Sequence, residues 1–148
     1  IEPKETEAKI FMYDVFNDNL IDIITPQIPD LDVPAKMIGE LSIGPDGLLW
    51  GIVEGTIFAY DTTSLTVVKS RRYYPSLYQY SKWRPCFLRW GKDGLLYTTL
   101  DRKLVIINPV TLEHLVVEDR AQGLIAIGPD GHIYFADGPM LLRRKIVR

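Results

Sequence analysis

An Asp-Gly pair occurs three times in this chain, each time between two apolar runs. The copies read G-P-D-G-L-L-W at residues 44–50, G-K-D-G-L-L-Y at 91–97 and G-P-D-G-H-I-Y at 128–134. Asp-Gly between apolar segments is the strongest short-range signal for a β-hairpin, because glycine accepts the positive φ that a tight turn requires. Three hairpins with the same flanks indicate an internal repeat, which constrains the fold more than any other feature.

A second landmark keeps the register of the repeat. The segments I-F-M-Y-D at 10–14, I-F-A-Y-D at 57–61 and L-V-I-I-N at 104–108 follow one another at intervals of 47 residues. The Asp-Gly pairs at 46 and 93 share this interval, and the third, at 130, follows after 37 residues. A period of about 40–50 residues with several short strands per unit is typical of β-propeller blades.

Each repeat unit divides into four short strands rich in Ile, Val, Leu, Tyr and Phe, and no segment has a helical period. The first complete unit predicts strands at residues 40–44, 48–53, 56–60 and 65–69, and the second at 87–90, 95–99, 103–107 and 114–118. A third unit predicts strands at 124–127, 132–136 and 140–146, whereas the chain opens with the third and fourth strands of a blade, at 9–13 and 20–24.

The sequence therefore predicts an all-β fold of four-stranded antiparallel blades. We interpret residues 1–148 as one partial propeller domain with blade parts at 9–24, 40–69, 87–118 and 124–148. This is about three and a half blades, whereas closed propellers usually have about four to eight. Either the N-terminal half of the propeller is missing from this chain, or two copies pair as a homodimer with about seven blades between them.

The composition excludes several classes of protein. A net charge of −2 argues against nucleic-acid binding driven by the overall field. No stretch is apolar enough to predict a membrane span. The single cysteine excludes an internal disulfide, which fits the cytoplasm and many exported bacterial proteins equally well.

The repeated G-P-D-G-x-[LI]-[WY] units, each followed by a strand and a [YI]-[DN]-x-x-[ST]-L turn, resemble bacterial propeller repeats. The nearest types are the NHL-like, virginiamycin B lyase-like and gluconolactonase-like repeats, and the resemblance covers nearly all of the chain. It implies the fold and not the chemistry, since many propellers with unrelated functions share this hairpin. In the virginiamycin B lyase type, His and Glu residues act with a magnesium ion, but neither His114 nor His132 matches that pattern.

The connection at residues 70–84 is the best candidate for a binding surface. It reads S-R-R-Y-Y-P-S-L-Y-Q-Y-S-K-W-R and is far more aromatic than a connector requires. Aromatic faces stack on sugar rings or anchor protein partners, and guanidinium groups pair with carboxylates. The predicted ligand-binding residues are Arg71, Arg72, Tyr73, Tyr74, Tyr78, Tyr80, Trp83 and Arg84. Alternatively, these aromatics only cover the blade and fill the mouth of the channel.

Three acidic residues, Glu54, Asp101 and Asp137, occupy matching turns after the second strand of successive blades. Their shared register would direct them towards one axial site, where carboxylate oxygens suit calcium or magnesium. The alternative is that they are solvated turn residues and that the protein has no cofactor.

These features favour a non-catalytic module that binds a glycan or a protein through channel-mouth loops, within a larger extracellular or cell-surface protein. The alternative is a lyase or hydrolase acting on a carbohydrate or a lactone, with a metal in the propeller channel.

Overall fold

The computed structural model describes residues 7–53, 55–74, 87–122 and 124–146, and within these ranges it contains thirteen strands and no helix. In chain order the strands are β1 Ile10–Asp14, β2 Asn19–Ile24, β3 Leu41–Ile43, β4 Leu49–Val53, β5 Thr56–Asp61, β6 Thr66–Arg72, β7 Leu88–Trp90, β8 Leu96–Leu100, β9 Lys103–Ile107, β10 His114–Glu118, β11 Ile125–Ile127, β12 Ile133–Asp137 and β13 Met140–Arg144. Accordingly, no helix of the described residues is long and apolar enough to cross a membrane.

The strands form four antiparallel sheets, each a meander of consecutive strands. We call them blade I (β1–β2), blade II (β3–β6), blade III (β7–β10) and blade IV (β11–β13). The predicted all-β fold of partial propeller blades is confirmed, and the strand bounds agree with the sequence pattern to within a few residues. The largest difference is β6, which extends to Arg72 because it pairs along the whole length of β5, as far as Thr56.

Each Asp-Gly turn is built in the same way. The glycine after the aspartate has a φ of 79° at Gly47, 78° at Gly94 and 76° at Gly131, which L-residues adopt only with strain. The aspartate carboxylate accepts a hydrogen bond from the backbone N–H two residues later, with N–O distances of 3.1–3.2 Å in the three turns. The hairpins therefore close through bonds within the turn, as the repeated tetrapeptide predicts.

The same carboxylate also binds the aromatic residue four positions later. The Trp50 indole Nε1 donates to Asp46 Oδ1 at 3.0 Å, and the hydroxyls of Tyr97 and Tyr134 donate to Asp93 and Asp130 at 2.7 Å. The ring lies across the first glycine of the motif, where an added Cβ at Gly44 would approach Trp50 to 2.7 Å. The first glycine is thus required by close packing, whereas the second is required by its φ.

Apolar side chains fill the seams between neighbouring blades. In the seam between blades II and III, Trp50 meets Trp90 edge to face, with ring centroids 5.6 Å apart. Further clusters join blade I to blade II around Phe58 and blade III to blade IV around Tyr97. Strand β8 is buried at every position because both of its faces are covered by neighbouring blades.

The innermost strands are joined by charge as well as by packing. Arg89 Nη1 donates to Glu40 Oε1 at 2.9 Å, which ties the first strand of blade III to the chain entering blade II. On the first strands of these two blades, Leu88 of β7 is buried, whereas Ile43 of β3 is exposed. The inner edge of the blades is therefore only partly buried.

Candidate functional site

Arg71 and Arg72 of the candidate binding surface lie on opposite faces of blade II. In β6, Arg71 pairs with Ile57, and Ile57 packs towards blade III. Arg72 pairs with Thr56, which in turn pairs with Val53, and Val53 packs towards blade I. Arg71 Nη1 donates to the Leu112 carbonyl at 3.0 Å. Because side chains alternate along a strand, the two guanidinium groups cannot form one cationic patch.

Arg72 is directed towards the connection between β2 and β3. Its Nη1 lies 3.6 Å from the Asp32 carboxylate, and the Ser70 hydroxyl, on the same face, hydrogen-bonds to Asp30. This side of β6 therefore holds the acidic connection against blade II, which is a structural role for one of the predicted ligand-binding residues.

Tyr73 is anchored in the seam between blades II and III. Its hydroxyl donates to the Leu112 carbonyl at 2.7 Å, and its backbone N–H donates to the Gly55 carbonyl at 2.9 Å. Burial raises the pKa of Tyr73 to about 12, although the nearby Arg71 guanidinium partly opposes the shift. These hydrogen bonds thus hold the Tyr73 ring in a fixed position at one side of the site.

His114 lies beside Tyr73 and Tyr74. The centroid of its ring lies 4.8 Å from that of Tyr73 and 6.5 Å from that of Tyr74, both edge to face. The Lys103 ammonium lies 5.6 Å from the centroid of the Tyr74 ring and 2.7 Å from the Asp101 carboxylate. We call Tyr73, Tyr74, Lys103 and His114 the seam cluster.

The seam cluster combines aromatic faces with two polar groups at its margin. Tyr73 and Tyr74 are half-buried, and His114 is exposed. Such a surface can stack on an apolar ring face while the imidazole and the ammonium contact its polar substituents. Lys103 and His114 were not among the predicted site residues, since both are brought to the tyrosines by the packing of one blade on the next.

The other predicted ligand-binding residues, Tyr78, Tyr80, Trp83 and Arg84, lie outside the described residues. They belong to the same connection, which leaves the described structure directly after Tyr74. Their role in binding stays a prediction.

The predicted metal ligands are each in a different situation. Glu54 lies outside the described residues. Asp101 has a φ of 49° in the tight turn between β8 and β9, and its carboxylate pairs with Lys103. Asp137 is buried, and its Oδ2 lies 3.2 Å from Arg120 Nε, while its Oδ1 has no hydrogen-bond partner.

A small polar pocket of about 220 Å³ lies beside Asp101, lined by Asp101, Arg102, Lys103, Asp119, Arg120 and Gln122. Across residues 7–53, 55–74, 87–122 and 124–146, no three His, Cys, Asp or Glu side chains are grouped as a metal site requires. A metal held by Glu54, Asp101 and Asp137 stays a prediction.

No family model matches the sequence, and no curated protein matches it. Among solved structures, the chain is similar to the extracellular domains of two signalling proteins of B. thetaiotaomicron, the one-component system BT4673 (14% identity, TM-score 0.63) and the hybrid two-component system BT3049 (10% identity, TM-score 0.59). It is also similar to U3-55K (16% identity, TM-score 0.55).

These alignments cover 90–93% of this chain but only 17% of the BT4673 chain, 18% of the BT3049 chain and 46% of U3-55K. At such low identity the similarity concerns the fold alone. The NHL-like, lyase-like and gluconolactonase-like types stay predictions.

Proposed function

We propose that this chain is part of a non-catalytic ligand-binding propeller within a larger extracellular or cell-surface protein. The observation that carries the proposal is the seam cluster, which holds two half-buried tyrosines at the start of an aromatic-rich connection. The similarity to extracellular domains of one-component and two-component systems supports a sensing context. Each blade seam supplies rigid walls, and the connection supplies variable side chains, which is how propellers and other scaffolds carry binding sites.

We propose a glycan as the ligand. Tyr74 presents an aromatic ring at the end of β6, and Lys103 and His114 flank it with hydrogen-bond donors. Sugars offer an apolar ring face edged by hydroxyl or carboxylate groups, and these match the aromatic faces and the donors of the cluster. The predicted residues Tyr78, Tyr80, Trp83 and Arg84 would extend this surface.

A glycan array followed by calorimetry tests the proposal. The variants Tyr74→Ala and Trp83→Ala should each weaken binding of the selected glycan by about 2 kcal/mol, as anchor aromatics do, with an unchanged melting temperature. Tyr13→Ala is the matched control, because Tyr13 is an exposed tyrosine on blade I. If the array is blank and a protein ligand is captured through Tyr74, the ligand is a protein rather than a glycan.

One observation favours the alternative of a metal-dependent lyase or hydrolase. Asp137 is a buried carboxylate whose Oδ1 has no hydrogen-bond partner, and buried acids of this kind are often functional. Under this alternative, calcium or magnesium would bind with an affinity that Asp137→Asn abolishes. Calorimetric titration with either ion decides the matter, since a chain that releases no heat of binding contradicts the metal site.

A further inference from the structure

The polar pocket beside Asp101 has walls that backbone hydrogen bonds hold in place. The Ala121 N–H donates to the Arg102 carbonyl at 2.8 Å, and the Gln122 N–H donates to the Ala136 carbonyl at 2.7 Å. These bonds fix the connection between β10 and β11 against the β8–β9 turn on one side and against β12 on the other. The pocket of about 220 Å³ is therefore formed before any ligand arrives.

The turn in one wall of the pocket departs from the repeat at Arg102. Arg102 directly precedes β9, as Gly55 directly precedes β5, so the two residues are equivalent. Gly55 has a φ of 71° and Arg102 a φ of 60°, a region that costs free energy for any residue with a Cβ. Glycine would suit this turn better, so the turn does not explain the arginine. Arg102 lines the pocket, and among the described residues its guanidinium has no partner.

A second departure from the repeat lies beside the same pocket. Asp137 ends β12 as Val53 ends β4 and Leu100 ends β8, and all three residues are buried. Asp137 alone is charged, and its Oδ1 has no hydrogen-bond partner. Its Oδ2 lies 3.2 Å from Nε of Arg120, whose exposed side chain lines the pocket. A buried carboxylate that is paired on one oxygen stabilises the fold less than an apolar residue would, so we assign it the role of holding Arg120.

The pocket carries no net charge. Its three cations and its three carboxylates, with the one behind Arg120 included, are Arg102, Lys103, Arg120, Asp101, Asp119 and Asp137. Two cation–carboxylate pairs are closed, and within the described ranges Arg102 and Asp119 are left without an ion pair. The pocket therefore offers one free donor group and one free acceptor group. A neutral molecule with hydroxyl groups can use both, because each hydroxyl donates one hydrogen bond and accepts others.

Lys103 joins this pocket to the seam cluster. It lines the pocket, and its ammonium lies 5.6 Å from the centroid of the Tyr74 ring. The hydrogen bond to Asp101 raises the pKa of Lys103, and the negative charge of Asp119 adds to the shift, so the ammonium is charged at neutral pH. A ligand that stacks one ring on Tyr74 therefore has the polar pocket directly beside it.

We propose that the polar pocket is a second sugar subsite, which holds a neutral, hydroxyl-bearing unit next to the unit stacked on Tyr74. This inference rests on the proposed glycan function. Arg102 donates to one hydroxyl and Asp119 accepts from another, while Arg120, held by Asp137, donates through its Nη groups. A volume of about 220 Å³ is below the roughly 300–1,000 Å³ of pockets for drug-sized ligands, which suits a single sugar ring. The ligand is then a neutral disaccharide or a longer neutral glycan, and not a polyuronate.

Calorimetric titration of the 148-residue chain tests the subsite. The probes are neutral disaccharides of glucose, galactose, mannose and xylose, with digalacturonate and diglucuronate as acidic counterparts. We expect a neutral disaccharide to bind with an affinity that salt hardly changes, since the pocket has no net charge. Arg102→Gly and Asp119→Ala should each weaken binding about tenfold. Arg143→Ala is the matched control, because Arg143 is an exposed arginine of β13 that does not line the pocket.

Two of the variants separate binding from stability, because each introduces the residue type of a neighbouring blade. Arg102→Gly relieves a strained φ, and Asp137→Leu copies Leu100, so neither should lower the melting temperature. Asp137→Leu should nevertheless weaken binding about threefold, because Arg120 loses its support. An Asp137→Leu chain that unfolds at a lower temperature and binds as well as the wild type would show that Asp137 serves the fold and not the site.

The remaining outcomes separate this subsite from the proposed function, with Tyr74→Ala measured alongside. A disaccharide whose binding requires Tyr74 but neither Arg102 nor Asp119 would overturn the subsite and leave the glycan function standing. Binding of an acidic probe that tightens in Asp119→Ala and weakens with salt would overturn the neutral ligand. If no disaccharide binds, the subsite and the glycan function both fail.

Discussion

The seam between blades II and III is closed from its buried core to its rim, which is the part beside the outer strands. The seam between blades III and IV is closed only at its buried core. In the first, Lys69 Nζ donates to the Pro109 carbonyl at 2.9 Å, and Tyr73 reaches Leu112. In the second, Leu115 faces an open groove. Both seams have buried apolar clusters, so the difference arises from the outer strands. The buried apolar clusters hold neighbouring blades together, and the outer strands close the rim of the seam.

The largest change in the free energy of unfolding is expected for the aromatic residue of the turn motif. Its size should differ between a closed and an open position. Trp50→Ala should lower the free energy of unfolding by about 3–5 kcal/mol, because the ring is fully buried against Trp90. Tyr134→Ala should cost only about 1 kcal/mol, since Tyr134 is partly exposed and mainly loses its bond to Asp130. Urea unfolding measures both, and equal losses would remove the distinction between the two positions.

A smaller effect is expected at the first glycine of the motif. Gly44→Ala should destabilise by about 1–3 kcal/mol, because the added Cβ would meet the immobile Trp50 ring at 2.7 Å. Gly128→Ala meets the Tyr134 ring at 2.6 Å, but that ring is half-exposed and has room to turn away, so the loss should be smaller. Thermal unfolding of the two variants checks the order, and a greater loss at Gly128 would contradict it.

The smallest effect concerns the rim of the sealed seam. Tyr73→Phe removes the hydrogen bond to Leu112 and should cost about 1 kcal/mol at neutral pH. Because the folded pKa of Tyr73 is raised to about 12 from 10.0, its neutral hydroxyl stabilises the fold fully below pH 10, and this contribution is lost as the pH rises towards 12. The Phe variant should therefore lose less stability than the wild type over this range.

Urea midpoints between pH 9 and pH 12 measure that difference. Tyr134→Phe is the control, since Tyr134 is partly exposed and its hydroxyl donates to Asp130 within its own turn. Parallel pH profiles for wild type and Tyr73→Phe would show that the Tyr73 hydroxyl does not contribute to the rim.

The strands were predictable because their determinants are local. Each Asp-Gly turn fixes a hairpin through bonds that span only a few residues, so the three turns place the pairs β3–β4, β7–β8 and β11–β12. The local pattern predicted that β6 ends at residue 69. Nothing in the nearby sequence shows that the pairing of β6 with β5 continues as far as Arg72.

The candidate site was predictable only in part. Arg71 and Arg72 were predicted on one surface, whereas the alternation of side chains along β6 places them on opposite faces. The partners of Tyr73, which are the Leu112 carbonyl and His114, lie about forty positions away along the chain, and only the packing of one blade on the next brings them close. No local pattern encodes such a contact.

The turn motif also bears on how a chain of this kind arises. From Gly44 to Trp50, the glycine contact, the carboxylate bonds and the aromatic anchor all close within seven residues. A duplicated gene segment would carry every one of these interactions with it, and a deleted segment would leave none of them broken in its neighbours. Recombination that adds or removes a whole blade therefore leaves the turn interactions intact, and only the side chains in the seams between blades must change to fit a new neighbour.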